Sequence, residues 1–255
     1  FRIGIEIGRP GAVMCAYNLV NGHKACGNDH LLNGVLKGDW TYRGWVMSDW
    51  GAVDDVSYIK AGRDQQMGYQ LDKQHWFGQP LADRVASGDV PASRISDAVR
   101  RILRSLFAVG ITDAYDPQPI DYNAHAQVAL DAARGGIVLL RNDGILPLAA
   151  KARNILVVGG NADFGVLSGG GSSQVTPSNG APRIIEQGGD GPMALFSRQL
   201  YMAGSPLAAL RKALPDADIR FHGGYSPEAA AAHAAKADMV IVFATKWEGE
   251  GMDSG

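Results

Sequence analysis

The sequence predicts an α/β protein in two parts, and three observations carry that prediction. Residues 1–110 alternate short apolar runs with amphipathic helical stretches. The turn-rich run Asp113-Ala114-Tyr115-Asp116-Pro117-Gln118-Pro119 interrupts the alternation. Two apolar runs, 154–160 and 239–244, then restart it with helical stretches between them. Strand–helix alternation means a parallel sheet or barrel, because parallel strands need a crossover that a helix supplies. Runs apolar on both faces are strands covered on both sides.

In the first part, 12–16 is a short strand ending at Tyr17-Asn18. Residues 31–36 read as a helix, with Asp29 as a possible cap. The run 45–48 is the second strand, and 54–61 forms the next helix, which Asp54 and Asp55 start. Helices are expected at 79–87 and 92–109. The latter places Ile95, Val99, Ile102 and Leu106 on one face, with Arg94, Arg100, Arg101 and Arg104 largely elsewhere. After the turn-rich stretch come a helix at 124–134, a buried strand at 137–140 and a turn at Asn142-Asp143-Gly144. In the second part 154–160 is a buried strand, and Ser205-Pro206 opens a helix with serine as N-cap and proline in the first turn. Residues 219–222 form a strand, and Ser226-Pro227 caps an alanine-rich helix. The last strand, 239–244, delivers 247–253 into a loop at its C-terminal end, where open α/β sheets gather ligands.

The 255 residues suffice for one large domain or two smaller ones. A composition of 46% hydrophobic and 20% charged residues is that of an ordinary globular protein. A net charge of −2 gives no pull towards nucleic acid or an acidic membrane. No apolar run approaches bilayer-spanning length. The histidines are scattered without metal-ligand spacing, so neither a metal nor an organic cofactor is expected. The glycines at 169–171 fit neither nucleotide-loop pattern and read as a loop shaping a cleft. The chain opens at Phe1 and stops just after a motif, which reads as an internal fragment of a longer protein. Cys15 and Cys26 are either a disulfide closing a short loop in an oxidising compartment or two unpaired thiols in a buried loop. The intervening Tyr17-Asn18-Leu19-Val20-Asn21-Gly22 reads as a turn that folds back, which favours the pair.

Chemistry concentrates at two places. Gly44-Trp45-Val46-Met47-Ser48-Asp49-Trp50-Gly51 is an apolar strand ending on a carboxylate beside an indole. Trp247-Glu248-Gly249-Glu250-Gly251 repeats the combination near the other end. Glycosidic bond hydrolysis needs two carboxyl groups, a nucleophile or base and an acid of raised pKa. Asp49 and Glu250 are the best-placed pair, each after a buried strand, near tryptophan, and beside glycine that lets a ligand approach the backbone. A single acidic residue at a strand end is more often a helix cap or a surface charge; two such sites weigh against that.

Further motifs sharpen the reading. Val13-Met14-Cys15-Ala16-Tyr17-Asn18, Val20-Asn21-Gly22 and the Asp49 run resemble, in order and spacing, glycoside hydrolase family 3. Val138-Leu139-Leu140-Arg141-Asn142-Asp143-Gly144-Ile145-Leu146-Pro147-Leu148 is similar to its interdomain segment. Ser168-Gly169-Gly170-Gly171-Ser172 and Glu248-Gly249-Glu250-Gly251-Met252-Asp253 are similar to loops of its second domain. The resemblance implies the C-terminal part of a (β/α)8 TIM-type barrel over 1–112, an interdomain segment over 113–150, and the N-terminal part of an α/β sandwich over 151–255. It implies a retaining, exo-acting β-glycosidase, foremost a β-glucosidase acting on β-linked glucosides or oligosaccharides, with no nucleic-acid or membrane partner. A β-xylosidase and an inactive carbohydrate-binding fragment are the alternatives, and a periplasmic or secreted location is expected.

By the same resemblance Asp49 is the nucleophile and Glu250 the acid/base. Trp50 flanks the sugar site, and the Tyr17 hydroxyl lies close to the nucleophile. Asp49 must stay ionised and needs donors, of which Tyr17 is one candidate. Glu250 must first carry a proton, and burial under Trp247 or Met252 would raise its pKa. Retention asks for carboxyl groups roughly 5–5.5 Å apart. Glu248 is the alternative acid, and Asp253 binds a backbone amide or a sugar. Three departures stand out. The family's sugar-gripping Lys-His pair and Asp are not in this chain, Ser254 stands where arginine is usual, and Gly68 replaces the proline of Gly-x-Asp-x-x-Met-Pro. The chain path at Gly68 is therefore expected to differ. The fragment alone should expose strand edges and be poorly stable or inactive.

Overall fold

The computed structural model describes residues 1–148, 153–189 and 194–251. It divides into two compact units, Phe1–Asp121 and Tyr122–Gly255.

In the first unit a short helix α1 (Arg2–Glu6) precedes β1 (Ala12–Cys15). A hairpin of β2 (Leu19–Val20) and β3 (His23–Lys24) follows. Its turn residues Asn21 and Gly22 have φ of 50° and 82°, the left-handed pair that matches the twist of a tight hairpin. The chain then folds back through a 3₁₀ turn, Ala25–Gly27, and Cys26 forms a disulfide with Cys15 at a Cα–Cα distance of 5.0 Å. Cys26→Ala should lower the stability of this unit by about 2–3 kcal/mol, the loop entropy that a short cross-link removes from the unfolded chain. Urea unfolding followed by circular dichroism measures it.

The helix expected at 31–36 is a π-helical segment, His30–Asp39, with Leu32 and Leu36 packed on Cys15, Cys26, Tyr42 and Val46. Asn28 rather than Asp29 caps it: Asn28 Oδ1 accepts from Leu31 N at 3.1 Å, while Asp29 accepts from Asn33 Nδ2 at 2.7 Å. Strand β4 (Trp45–Ser48) runs parallel to β1, with Ala12 opposite Trp45 and Cys15 opposite Ser48. The segment around Gln65 also pairs with β4, Gln65 N donating to Val46 O and Ser48 N to Gln65 O, both at 3.1 Å. Instead of a full helix at 54–61 there is one 3₁₀ turn, Val56–Ile59. The Asp55 carboxylate caps it by accepting from Ser57 N at 2.7 Å, and hydrogen bonding from the Ser57 hydroxyl and then its amide holds the carboxyl below the ordinary range.

Helices α2 (Gln79–Ala86) and α3 (Ala92–Ala108) complete the unit. The buried face of α3 differs from the expected one. It centres on Ala98 and Ser105, and Val99 is exposed. Arg94 and Arg101 reach inward: Arg94 Nε donates to Ile59 O at 2.8 Å, and Arg101 Nη1 to Tyr42 O at 2.8 Å. Their apolar stems lie on the core while their heads satisfy buried carbonyls. Arg94 also joins an ionic cluster. The Asp64 side chain is 0% exposed and accepts from Lys37 Nζ at 2.8 Å, from Val46 N at 2.8 Å and from Arg94 Nη2. Burial lowers the Lys37 ammonium to about 8, although Asp64 pulls it back up.

The second unit opens with α4 (Tyr122–Gly136). The strand expected at 137–140 does not form; Leu140 is 93% exposed, and the run joins no sheet among the described residues. An apolar run becomes a strand only beside a partner edge. The turn after it does form, with Asn142 Oδ1 accepting from Gly144 N at 3.2 Å and Leu146 N at 3.0 Å. Next come β5 (Asn154–Val158), β6 (Val166–Leu167), β7 (Arg183–Ile185), α5 (Ala194–Ser197) and β8 (Gln199–Met202). Helix α6 (Pro206–Ala213), β9 (Asp218–His222), α7 (Pro227–Ala234) and β10 (Met239–Val242) follow. Strands β10, β5 and β9 form a parallel sheet in that order, with Ile155, Val157, Ile219 and Leu207 in its core. Ser205 and Ser226 cap α6 and α7, accepting from Ala208 N at 3.1 Å and Ala229 N at 3.3 Å. A second sheet, β6–β8–β7, is antiparallel. No helix among the described residues is long and apolar enough to cross a membrane.

Candidate active site

Asp49 stands where β4 leaves the sheet. Its N–H donates to Cys15 O at 3.3 Å, the last rung beside β1. Ala52 N then donates to Asp49 O at 3.3 Å and closes a turn through Gly51, whose φ is 81°. The carboxylate accepts from Trp50 N at 2.8 Å. Tyr17, two residues beyond β1, donates its hydroxyl to Trp50 O at 2.6 Å. Tyr17, Asp49 and Trp50 therefore gather at the C-terminal end of the β1–β4 pair, tied by the chain itself. The disulfide at Cys15 anchors the strand that carries Tyr17.

Trp50 is 42% exposed and lies against Gly68. A Cβ on Gly68 would stand 2.7 Å from the Trp50 Cβ and closer still to the indole ring. Gly68 has φ 58°, which proline cannot adopt, so the chain path here does depart from that of a proline-bearing segment. Ser48, buried at the end of β4, fixes the segment in place: Met67 N donates to its Oγ at 2.9 Å. Ser48 was not singled out in the sequence, where a serine closing an apolar run gives no distinctive signal.

Glu250 belongs to the second unit. Past β10, Phe243 N donates to Val158 O at 2.8 Å and Thr245 Oγ1 to Gly160 O at 3.0 Å, which directs the loop across the end of β5. The loop then pairs with the glycine-rich segment. Gly170 N donates to Glu248 O at 3.0 Å, and Glu250 N to Gly170 O at 3.3 Å. The Glu250 carboxylate is exposed and accepts from Ser172 N at 2.7 Å. Hydrogen bonding by Ser172 holds its carboxyl below the ordinary range. The expected rise does not occur, because the Ser172 hydroxyl and amide on the carboxylate favour the anion and little burial opposes them. Glu248 faces Lys246 Nζ at 2.8 Å. Met252 and Asp253 lie outside the described residues.

Two domain descriptions match this chain. Residues 1–105 match the glycosyl hydrolase family 3 N terminal domain, and residues 137–255 match the glycosyl hydrolase family 3 C-terminal domain. The chain belongs to glycosyl hydrolase family 3. This family 3 chain is 36% identical over 181 residues to thermostable beta-glucosidase B of Acetivibrio thermocellus, covering 70% of the chain and 23% of that protein. It is 33% identical over 260 residues to probable beta-glucosidase L of Emericella nidulans, covering 94% of the chain and 34% of that protein. Among solved structures, beta-D-glucoside glucohydrolase from Trichoderma reesei superposes with a TM-score of 0.76 at 28% identity, over 96% of the chain and 35% of that structure. The family 3 chain thus spans about a third or less of the relatives it matches. Its fold is the C-terminal part of a TIM-type barrel followed by part of an α/β sandwich.

Proposed function

We propose that the protein containing these residues is a retaining, exo-acting β-glucosidase that releases glucose from the non-reducing end of β-glucosides by double displacement. The observation that carries this reading is the placing of two carboxylates. Asp49 follows a parallel strand inside the N-terminal domain match, and Glu250 follows one inside the C-terminal domain match. Ligands of parallel α/β folds gather at those strand ends. In this reading Asp49 attacks the anomeric carbon as the glycosidic oxygen leaves with the proton of Glu250. Glu250 then takes a proton from water, which displaces glucose from Asp49. The Trp50 indole offers an apolar face to the sugar ring, and Tyr17 fixes the backbone carbonyl beside the nucleophile. The names of the relatives support glucose as the sugar. The disulfide supports a periplasmic or secreted location, since such bonds persist in oxidising compartments.

The test is covalent trapping. Incubation of the intact protein with 2-deoxy-2-fluoro-β-glucosyl fluoride should stop turnover and leave the fluorosugar on the peptide that contains Asp49. An adduct on another carboxylate, or inactivation without any adduct, would move the nucleophile or remove the covalent intermediate. A higher kcat/KM for the β-xyloside than for the matching β-glucoside would replace glucose by xylose as the preferred sugar.

A further inference from the structure

We infer that the loop segment at 170–172 is a positioning device for Glu250: it seats the carboxylate on Ser172, and Gly171 is the residue that makes the seat possible. The inference rests on the acid/base role proposed for Glu250 and adds a residue that sets how that role is divided.

Three features converge on it. The Glu250 carboxylate accepts from Ser172 N at 2.7 Å across 78 residues of sequence. The two loops are joined on either side of Gly249 by the backbone bonds from Gly170 N to Glu248 O and from Glu250 N to Gly170 O. Gly171 has φ 83°, and a Cβ there would stand 2.8 Å from Glu250 Oε2 and nearer still to the Glu250 Cβ. The requirement for glycine follows the contact. A Cβ on Gly170 would stand 2.8 Å from Trp247 Cζ2 and 3.1 Å from Gly249 Cα, whereas one on Gly169 would meet only Ser173 Oγ at 3.6 Å, an ordinary distance. The two glycines that touch the acid/base loop have no space for a side chain, and the one that does not touch it has space.

The chemical consequence follows from the donor. In double displacement the same carboxyl gives a proton in the first half-reaction and takes one in the second. Donating to the carboxylate, the Ser172 hydroxyl and the Ser172 backbone N–H both stabilise the charged, proton-accepting form. The loop therefore favours activation of water over protonation of the leaving group.

Gly171→Ala in the intact protein tests this. The alkaline limb of kcat/KM, which reports the proton on Glu250 in the free enzyme, should move up by about one pH unit when the amide is withdrawn. For a dinitrophenyl β-glucoside, whose leaving group needs no acid, the acidic limb of kcat, which reports the ionised Glu250 that activates water, should move up by the same amount. Gly169→Ala should keep the parent profile. An unmoved alkaline limb in a Gly171→Ala protein of parental melting temperature would overturn the inference, as would an equal shift in Gly169→Ala. If Gly171→Ala does not fold, the parent still decides. With serine labelled by nitrogen-15, the Ser172 amide proton should titrate with the alkaline limb and lose that titration in Glu250→Gln; an amide that never titrates overturns the seat. Failure of the underlying role has its own signature. Glu250→Ala would keep its turnover of substrates with poor leaving groups and would not be accelerated by azide.

Discussion

Asp49→Ala in the intact protein is expected to lower kcat/KM for a chromogenic β-glucoside by on the order of 10⁶-fold, the scale seen when a nucleophile is removed and binding is kept. The fold should survive the change. Asp49 is only half-buried, and its carboxylate accepts from the amide of its own neighbour, Trp50, at 2.8 Å. An exposed-side bond of that kind contributes about 1 kcal/mol. Steady-state kinetics, a thermal melt and a glucose-binding titration measured on the same sample check the prediction. Lost turnover with retained sugar binding identifies the nucleophile. Unchanged turnover would place the chemistry elsewhere, and absent turnover in the parent as well would favour the carbohydrate-binding alternative.

Asp64→Asn should have the largest effect on stability, a loss of about 3–5 kcal/mol, because it leaves the buried Lys37 without its paired carboxylate and Arg94 with Asp97 in place of two carboxylates. Lys37 and Arg94 both converge on this one carboxylate, whose side chain is 0% exposed. Asparagine keeps the shape but not the charge. Chemical denaturation of the two proteins side by side gives the difference. A change below about 1 kcal/mol would mean that the cations had found water or other acceptors. The cluster also has a pH signature. Lys37 titrates at about 8 in the folded protein against an ordinary 10.5. The penalty for burying its charge is fully present below about 8. Between that value and 10.5 the unfolded chain holds a proton that the folded one has released, so stability attributable to Lys37 rises with pH. In Asp64→Asn the rise should begin at lower pH, since the carboxylate that holds the proton on Lys37 is gone.

The sequence was most legible where one signal had one cause. The run 45–48, bounded by Gly44 and Asp49, became β4 at the expected residues. Ser205-Pro206 and Ser226-Pro227 opened helices because serine capping and proline geometry are local. Readings failed where the deciding partner was remote. A charged residue on a helix reads as exposed, yet Arg101 turns inward because the carbonyls of Tyr42 and Gly44 need a donor. The apolar run 137–140 read as a strand, but its sequence does not say whether a partner edge is offered. Sheet β6–β8–β7 went unseen because its strands are two to four residues long, too short for alternation to show. At the candidate site, the strand tip, indole and glycines made Asp49 and Glu250 visible. The charge bias on Glu250 was not visible, since tryptophan nearby suggested burial and the Ser172 hydroxyl and amide that govern it come from a loop far along the chain.

The contact between Trp50 and Gly68 couples these two positions. The indole fills the space that any side chain at 68 would need, and the backbone there is left-handed. A lineage with proline at 68 must route its backbone differently and carry its tryptophan differently. A side chain at 68 therefore needs both a new backbone path and a displaced Trp50 indole. Chimaeras made by exchanging loops within the family should therefore keep residues 50 and 68 from the same parent.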